Sequence, residues 1–383
     1  MTEQQKLILI VDDTPTNIGV ISGALKDSYR TKVATNGERA LAIASAEEKP
    51  DLVLLDVLMP EMDGYEVCRR LKADSKTREI PVIFLTGQIK DEDETKGFAV
   101  GGVDYVHKPF SPSVVKARVQ SHIMLREARQ QLAQQLIAIN NELEMAREIQ
   151  LSILPHELPK VAGLDLAARY MPMTSVAGDF YDFIITDDKH LGILIADVSG
   201  HGLPSALIAS MLQVALSAQV THASDPARVL SGLNKALCGK FKQNFVTAAY
   251  IFVDTEKQTM SYAGAGHPPL LIWQKSTGKT TQVLENGLVL GMFSDATYSD
   301  VALLLEPGDR TVLYTDGIVE APNPSQEQFG EERIMRSMEN NKGLDADQFA
   351  NVFLEELSLW SAQTHEQGQQ DDITLLVIDF KSH

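Results

Sequence analysis

Apolar and polar positions change their period twice along the chain. Over the first 120 residues, short apolar runs at 7–11, 32–34, 52–55, 82–85 and 104–106 alternate with amphipathic stretches at 18–26, 37–47, 66–73 and 93–100. Near-continuous Val, Ile and Leu in the runs predicts strands buried on both faces, hence a parallel sheet covered by helices. In such folds the chemistry lies beyond the carboxyl ends of the strands. Residues 112–153 then read as one long helix without internal Pro or Gly. Its apolar positions Leu125, Leu132, Leu136, Ile139, Leu143, Ala146 and Ile153 recur in steps of three and four, with Arg129 and Gln150 interrupting the seam. Such a seam predicts a short parallel coiled coil between two copies, or an amphipathic helix packed on its own chain.

From residue 164 the texture changes again. Strand-like runs at 164–171, 190–196, 246–253, 259–263, 310–314 and 374–380 are mixed with helical patterns at 204–220, 226–240 and 345–362. Turn-length links such as 254–258 predict antiparallel pairing and an α+β fold. The expected organisation is 1–122, an α/β doubly wound domain on a five-stranded parallel sheet; 123–154, a coiled-coil linker helix; and 155–383, an α+β domain.

Composition narrows the function. With 44% hydrophobic and 22% charged residues in 383, the chain has material for at least two cores. Its formal charge is −18, which disfavours nucleic-acid phosphates as partners. The excess is uneven: 16 Lys and Arg against 19 Asp and Glu over residues 1–120, 3 against 5 over 121–158, and 15 against 28 in the remainder. Two distant cysteines, Cys68 and Cys238, exclude a disulfide framework and fit a reducing cytoplasm. The start, MTEQQKLILIVDD, is expected to be neither signal nor anchor, and no run reaches the ~18 apolar residues of a membrane helix.

Four apolar runs of the first region end in chemistry. Leu7-Ile-Leu-Ile-Val-Asp-Asp13 ends in two carboxylates, Leu52-Val-Leu-Leu-Asp56 in one, Val82-Ile-Phe-Leu-Thr86 in a hydroxyl, and Val106-His-Lys-Pro109 in an ammonium. Parallel neighbouring strands would gather them at one sheet edge. Three carboxylates repel unless a cation such as Mg²⁺ joins them. Lys108 and Thr86 could then bind phosphate oxygens, and Asp56 could accept a phosphoryl group as an acyl phosphate. Singly, each strand-terminal Asp is also what a turn or helix cap looks like.

This set, with Asp56-Val-Leu-Met-Pro-Glu-Met-Asp-Gly64 and His107-Lys-Pro-Phe110, resembles the CheY-like receiver domain of two-component response regulators over residues 5–122. The resemblance implies Asp56 as phosphoacceptor and Mg²⁺ held by Asp12, Asp13, Asp56 and the Leu58 carbonyl. It also implies Thr86 and Tyr105 as a switch pair, a cis bond at Lys108–Pro109, and a sensor histidine kinase as phosphodonor. Leu58 stands where that family often has a polar residue that helps to set acyl-phosphate lifetime.

In the C-terminal region carboxylates sit beside glycines at strand ends: Ala177-Gly-Asp-Phe-Tyr-Asp182, Ile195-Ala-Asp-Val-Ser-Gly-His-Gly202, Tyr314-Thr-Asp-Gly317 and Gln370-Asp-Asp-Ile-Thr374. Burying such an Asp costs several kcal/mol (roughly) without compensation. No Lys or Arg lies within three residues of Asp197 or Asp371. Oxygen-rich sets of this kind favour Mg²⁺ or Mn²⁺, and two such ions can activate a water for in-line attack on a phosphate ester. An isolated Asp-Gly is also an ordinary turn.

Together the four motifs resemble the PPM class of metal-dependent serine/threonine phosphatases, of the bacterial SpoIIE/RsbU kind, over about residues 145–380. The resemblance implies two antiparallel sheets flanked by helices and two Mn²⁺ or Mg²⁺ ions. Asp197 would bridge both ions, the Val198 carbonyl would add a ligand, Asp316 and Asp371 would complete the second ion, and Asp179 would serve the first. Asp182 and Asp372 would stand behind the ligands. His267, in Ala263-Gly-Ala-Gly-His-Pro-Pro269, would touch substrate, move a proton, or simply hold its loop. Ala177-Gly178 departs from the family's paired glycines, and no arginine marks itself as phosphate-binding. Glu144-Met-Ala-Arg-Glu-Ile-Gln-Leu-Ser-Ile-Leu-Pro155 resembles the lead-in to these phosphatases.

The expectation is therefore a cytoplasmic response regulator with a phosphoserine/phosphothreonine phosphatase output, homodimeric through linker helix and receiver. Its expected substrate is a phosphorylated anti-sigma-factor antagonist. No kinase-like ATP-binding domain is expected after the last strand. The rival readings are a phosphatase fold that only sequesters a partner and an enzyme for a small phosphate ester. Against the second, no P-loop is present.

Overall fold

The computed structural model describes residues 5–87, 91–241, 243–361 and 371–381. Gln370, the first residue of the last motif, and Ala362, the end of the expected third helix, lie outside them. The chain divides into two compact units, residues 1–138 and 139–383.

The first unit carries β1 (Leu7–Val11), β2 (Arg30–Ala34), β3 (Leu52–Asp56), β4 (Val82–Thr86) and β5 (Asp104–His107) in one sheet of order β2-β1-β3-β4-β5. All four pairings are parallel. Every residue of β1, β3 and β4 is buried, as their unbroken apolar runs require of a sheet with helices on both faces. Those helices are α1 (Pro15–Leu25), α2 (Gly37–Ala44), α3 (Gly64–Ala73), α4 (Asp91–Ala99) and the start of α5 (Pro112–Ile153). They start where local chemistry dictates. Pro15 stands in the first turn of α1, where its missing N–H costs nothing. Asp63 caps α3 by accepting the Glu66 N–H at 2.7 Å.

The long helix runs over the predicted span. Val115, Val119 and Ile123 on its first turns join the core of the first unit. Leu125, Leu132, Leu136 and Ile139 are exposed.

The second unit is a sandwich of two sheets, with β13-β10-β9-β8-β7 in one and β12-β11-β14-β15-β6 in the other. In chain order these are β6 (Leu164–Met171), β7 (Phe180–Ile185), β8 (His190–Val198), β9 (Val246–Asp254), β10 (Thr259–Ala265), β11 (Leu270–Gln274), β12 (Lys279–Val283), β13 (Val301–Leu304), β14 (Arg310–Tyr314) and β15 (Ile373–Phe380). All pairings between these strands are antiparallel. The main core lies between the two sheets and continues under α6 (Leu203–Ser217) and α7 (Pro226–Leu237), whose Leu212, Leu216, Leu230 and Leu233 cover the sheet of β7, β8, β9 and β10. A second core lies between the β14–β15 sheet and the helices α8 (Asp316–Val319), α9 (Glu331–Asn340) and α10 (Ala346–Ser361). Among the described residues no helix is long and apolar enough to cross a membrane.

The sequence reading missed β7, β11, β12, β13, α8 and α9. The four strands are short, and β12 and β13 are sheet edges whose side chains alternate between core and water over only four or five residues.

Candidate functional site

The parallel sheet ends in the cluster that its sequence predicts. Asp12 and Asp56 are buried, Asp13 is exposed, and one oxygen from each lies within 4.8 Å of the others. Lys108 Nζ reaches both Asp12 Oδ2 and Asp56 Oδ2 at 2.8 Å. Burial pushes the Asp56 carboxyl up, Lys108 pulls it down, and the neighbouring Asp12 pushes it up again, leaving it above the ordinary value. For Lys108 burial works the other way, but its bonds to the two carboxylates outweigh it and hold the ammonium charged. The Lys108–Pro109 bond is cis. Asn17, which the sequence did not flag, donates to both oxygens of Asp12 at 2.9 and 3.0 Å. Thr86 and Tyr105 are buried on adjacent strands, and Tyr105 stacks on Phe84 and meets Phe98 edge-on.

The second cluster lies where both sheets of the sandwich end. Asp197 is the penultimate residue of β8, Asp316 opens α8 just after β14, and Asp371 and Asp372 precede β15. Asp179 precedes β7 and is fully buried. Thr315 Oγ1 at 2.7 Å and Thr374 Oγ1 at 2.6 Å both donate to its Oδ2. Burial and Asp197 push its carboxyl far up, and the two hydroxyls oppose them. Asp372 accepts the N–H groups of Met173 and Gly178, each at 2.7 Å. Two glycines let these segments meet. A side chain at Gly317 would come within 2.0 Å of the Asp372 carbonyl, and one at Gly178 within 2.7 Å of the Val198 carbonyl.

The electrostatics are those of a site lacking countercharge. Burial raises Asp197 to about 7, followed by repulsion from Asp316, Asp371, Asp372 and Glu320. Burial, Asp371 and Glu320 raise Asp316 to about 6. The donor set is oxygen throughout, which suits a hard divalent cation. Among the described residues, only the Asp12 cluster brings three carboxylate oxygens within 4.8 Å of one another. The wider spacing of Asp197, Asp316 and Asp371 suits ions that keep water between themselves and some carboxylates.

The other candidates fall into place unevenly. Asp182 stands apart: burial raises its carboxyl, and no other carboxylate is among its influences. His267 is buried, hydrogen-bonded at Nδ1 to Thr247 Oγ1 at 3.0 Å, and pushed down to about 3 by burial. Thr247 pairs with Asp197 across β8 and β9, so His267 supports the strand behind Asp197 as a neutral interior group. Glu320, Thr315 and Thr374 escaped notice. Glu320 is four residues beyond Asp316, one helical turn away, and that spacing was the available signal. In the sequence Gln150 is a break in the helical seam. It is buried, accepting the Ala177 N–H at 2.9 Å and donating to the Ala177 carbonyl at 2.6 Å. The end of α5 is thereby fastened to the loop that carries Asp179.

A lysine-bonded carboxylate pair at the end of a parallel sheet, followed in the chain by an antiparallel sandwich that gathers buried acids at its strand ends, is the combination of a receiver domain with a phosphatase-type domain. The family model described as response regulator receiver domain matches residues 8–120, and that of stage II sporulation protein E (SpoIIE) matches residues 187–381. The phosphoserine phosphatase RsbU of Bacillus subtilis is 30% identical over 271 residues, covering 68% of this chain and 74% of that protein. The chain belongs to the SpoIIE family, with a receiver domain ahead of the phosphatase-type domain. A probable cyclic di-GMP phosphodiesterase of Vibrio cholerae is 49% identical over 131 residues, but the match spans only 34% of this chain and 30% of that protein. The phosphoserine phosphatase RsbP of Bacillus subtilis is 32% identical, and the match spans 45% of it. Among solved structures, the SiaA-PP2C domain of Pseudomonas aeruginosa superposes with TM-score 0.56 at 24% identity, covering 64% of this chain and 98% of that one, which shows the shared fold.

Proposed function

We propose that the chain is a cytoplasmic response regulator whose output is a metal-dependent phosphoserine/phosphothreonine protein phosphatase, governed by phosphorylation of Asp56. We read its parts as receiver 1–122, linker helix 123–154 and phosphatase domain 155–383. The observation that carries the enzymatic reading is the raised pair Asp197 and Asp316 among further carboxylates. Such a group is stable in its ionised form only beside a cation. Asp197, Asp316, Asp371, Asp179 and the Val198 carbonyl would hold two Mn²⁺ or Mg²⁺ ions. Bound there, the ions would supply Lewis acidity to the phosphate and a water acidic enough to attack it.

The chain's own groups do the positioning. Thr315 and Thr374 both hold Oδ2 of Asp179. Asp372 fixes the loop at Met173 and Gly178. His201 is exposed between Gly200 and Gly202, on the loop after Asp197, where an imidazole can hand a proton to the leaving serine or threonine oxygen.

In the receiver, Asp56 would take the phosphoryl group from a sensor histidine kinase. Mg²⁺ on Asp12, Asp13 and Asp56 would aid it, and Lys108 would bind a phosphate oxygen. The exposed seam of α5 supports a homodimer through the linker helix, with the receivers paired as well. Gln150 would carry the signal, because a change in the helix acts directly on Ala177 and the loop of Asp179. A phosphorylated anti-sigma-factor antagonist is the proposed substrate, on the likeness to the phosphoserine phosphatases RsbU and RsbP. The test compares turnover with and without beryllofluoride in wild type, Asp56→Asn and Gln150→Ala. The proposal requires a beryllofluoride effect in wild type alone; an equal effect in Asp56→Asn, or none in wild type, refutes it.

A further inference from the structure

Ser199 follows the Val198 carbonyl, and all of its polar groups are held by two residues from another loop. Its N–H donates to the Phe245 carbonyl at 2.9 Å. Its Oγ accepts the Phe245 N–H at 2.8 Å. Its carbonyl accepts the Asn244 side-chain amide at 2.6 Å. A trans peptide is planar, with N–H and C=O on opposite edges. Aiming the Ser199 N–H at Phe245 therefore turns the Val198 carbonyl to the other side. That side faces Gly178, as the 2.7 Å approach shows, and Gly178 leads into Asp179. The chain just beyond is otherwise easy to turn over, because Gly200 and Gly202 both have positive φ, 87° and 82°, a region glycine shares with ordinary conformations at little cost.

We propose that Asn244 and Ser199 are positioning residues that clamp the turn after Val198 onto the 244–245 backbone, so that the Val198–Ser199 peptide, held through the Ser199 N–H, presents the Val198 carbonyl as a metal ligand. This rests on the metal-site reading above. Asn244 fixes the peptide after Ser199, Phe245 fixes the one before, and together they prevent the flip that would withdraw the ligand.

The test is calorimetric titration of the full chain with Mn²⁺ alone, following the binding heat that Asp197→Ala abolishes, beside Mn²⁺ activation of p-nitrophenyl phosphate turnover. Loss of an outer-shell partner typically weakens metal binding by about 10- to 100-fold. Asn244→Ala and Ser199→Ala should weaken Mn²⁺ binding by that factor, with kcat restored at saturating Mn²⁺ and KM unchanged. Ser199→Thr retains the accepting oxygen and should restore wild-type affinity. A folded Asn244→Ala with unchanged Mn²⁺ affinity overturns the inference. If Asn244→Ala does not fold, Ser199→Ala carries the same expectation and the same refutation. Wild type with no such heat overturns the metal reading and this inference with it; binding that ignores both alanine variants overturns this inference alone.

Discussion

Replacing Thr374 by valine removes one hydroxyl from the interior and changes little in shape. That hydroxyl donates to Asp179 Oδ2 at 2.6 Å. A hydrogen bond to a charged group contributes about 1.5–3 kcal/mol. It favours ionised Asp179, the form that a cation needs, against burial and the nearby Asp197. At about 1.4 kcal/mol per factor of ten, Thr374→Val should weaken Mn²⁺ binding by roughly 10- to 150-fold near neutral pH, with Thr374→Ser close to wild type. Thr315 differs in an instructive way. Its hydroxyl donates to Asp179 and also accepts the buried Thr374 N–H at 2.9 Å. Thr315→Val therefore strands a buried donor as well, at a cost of about 1–3 kcal/mol. In a domain of this size that lowers Tm by about 2–4 °C for each kcal/mol. The assay is Mn²⁺ titration by calorimetry, with thermal melts of the metal-free proteins. Affinity within twofold of wild type in a well-folded Thr374→Val would refute the reasoning, as would equal melting of the two valine variants.

Three further outcomes are expected. Gln150→Ala strands the N–H and carbonyl of Ala177, so its Tm should fall and Ala177 should lose hydrogen-exchange protection relative to wild type. Asn17→Ala removes two bonds to Asp12 and should weaken Mg²⁺ binding to the receiver without changing Mn²⁺ binding to the phosphatase cluster. The Asp187 carboxylate beside His190 holds that imidazole above its ordinary 6.5, with burial opposing and Asp254 adding to the rise. A raised histidine stabilises the fold below its unfolded pKa, and this stabilisation is lost as pH rises through the folded pKa. The Tm deficit of Asp187→Asn should thus be largest near about pH 5.5 and shrink above about pH 8; a deficit constant with pH would contradict the assignment.

Much of the site was legible because strand ends and chemistry coincide in sequence. Asp12, Asp56, Thr86 and Lys108 each follow an apolar run, and parallel order alone gathers them. Asp197 and Asp316 were readable for the same reason, as acids placed where an apolar strand stops. What stayed hidden depends on long-range contact. Thr315 and Thr374 look like ordinary strand-end threonines until two strands bring them to Asp179, 136 and 195 residues away. Gln150 breaks an apolar seam, and only the fold shows that its partner is a backbone amide. Asp182 shares a motif with Asp179 but stands three residues later, inside β7, where burial raises its carboxyl and no other carboxylate is among its influences. His267 sits in a glycine-rich segment that suggests an open loop, but the Asn286 side chain ties that loop down by bonds to the Gly266 N–H and the His267 carbonyl.

The central claim, that the second acidic cluster is a working metal site, is tested most directly by phosphatase turnover of the full chain. The substrate is p-nitrophenyl phosphate, titrated with Mn²⁺ and with Mg²⁺, in wild type and Asp197→Ala. The account predicts saturable, metal-dependent turnover that Asp197→Ala abolishes while the protein stays folded. Turnover independent of metal, turnover retained in Asp197→Ala, or a wild type that neither binds Mn²⁺ nor turns over would contradict it.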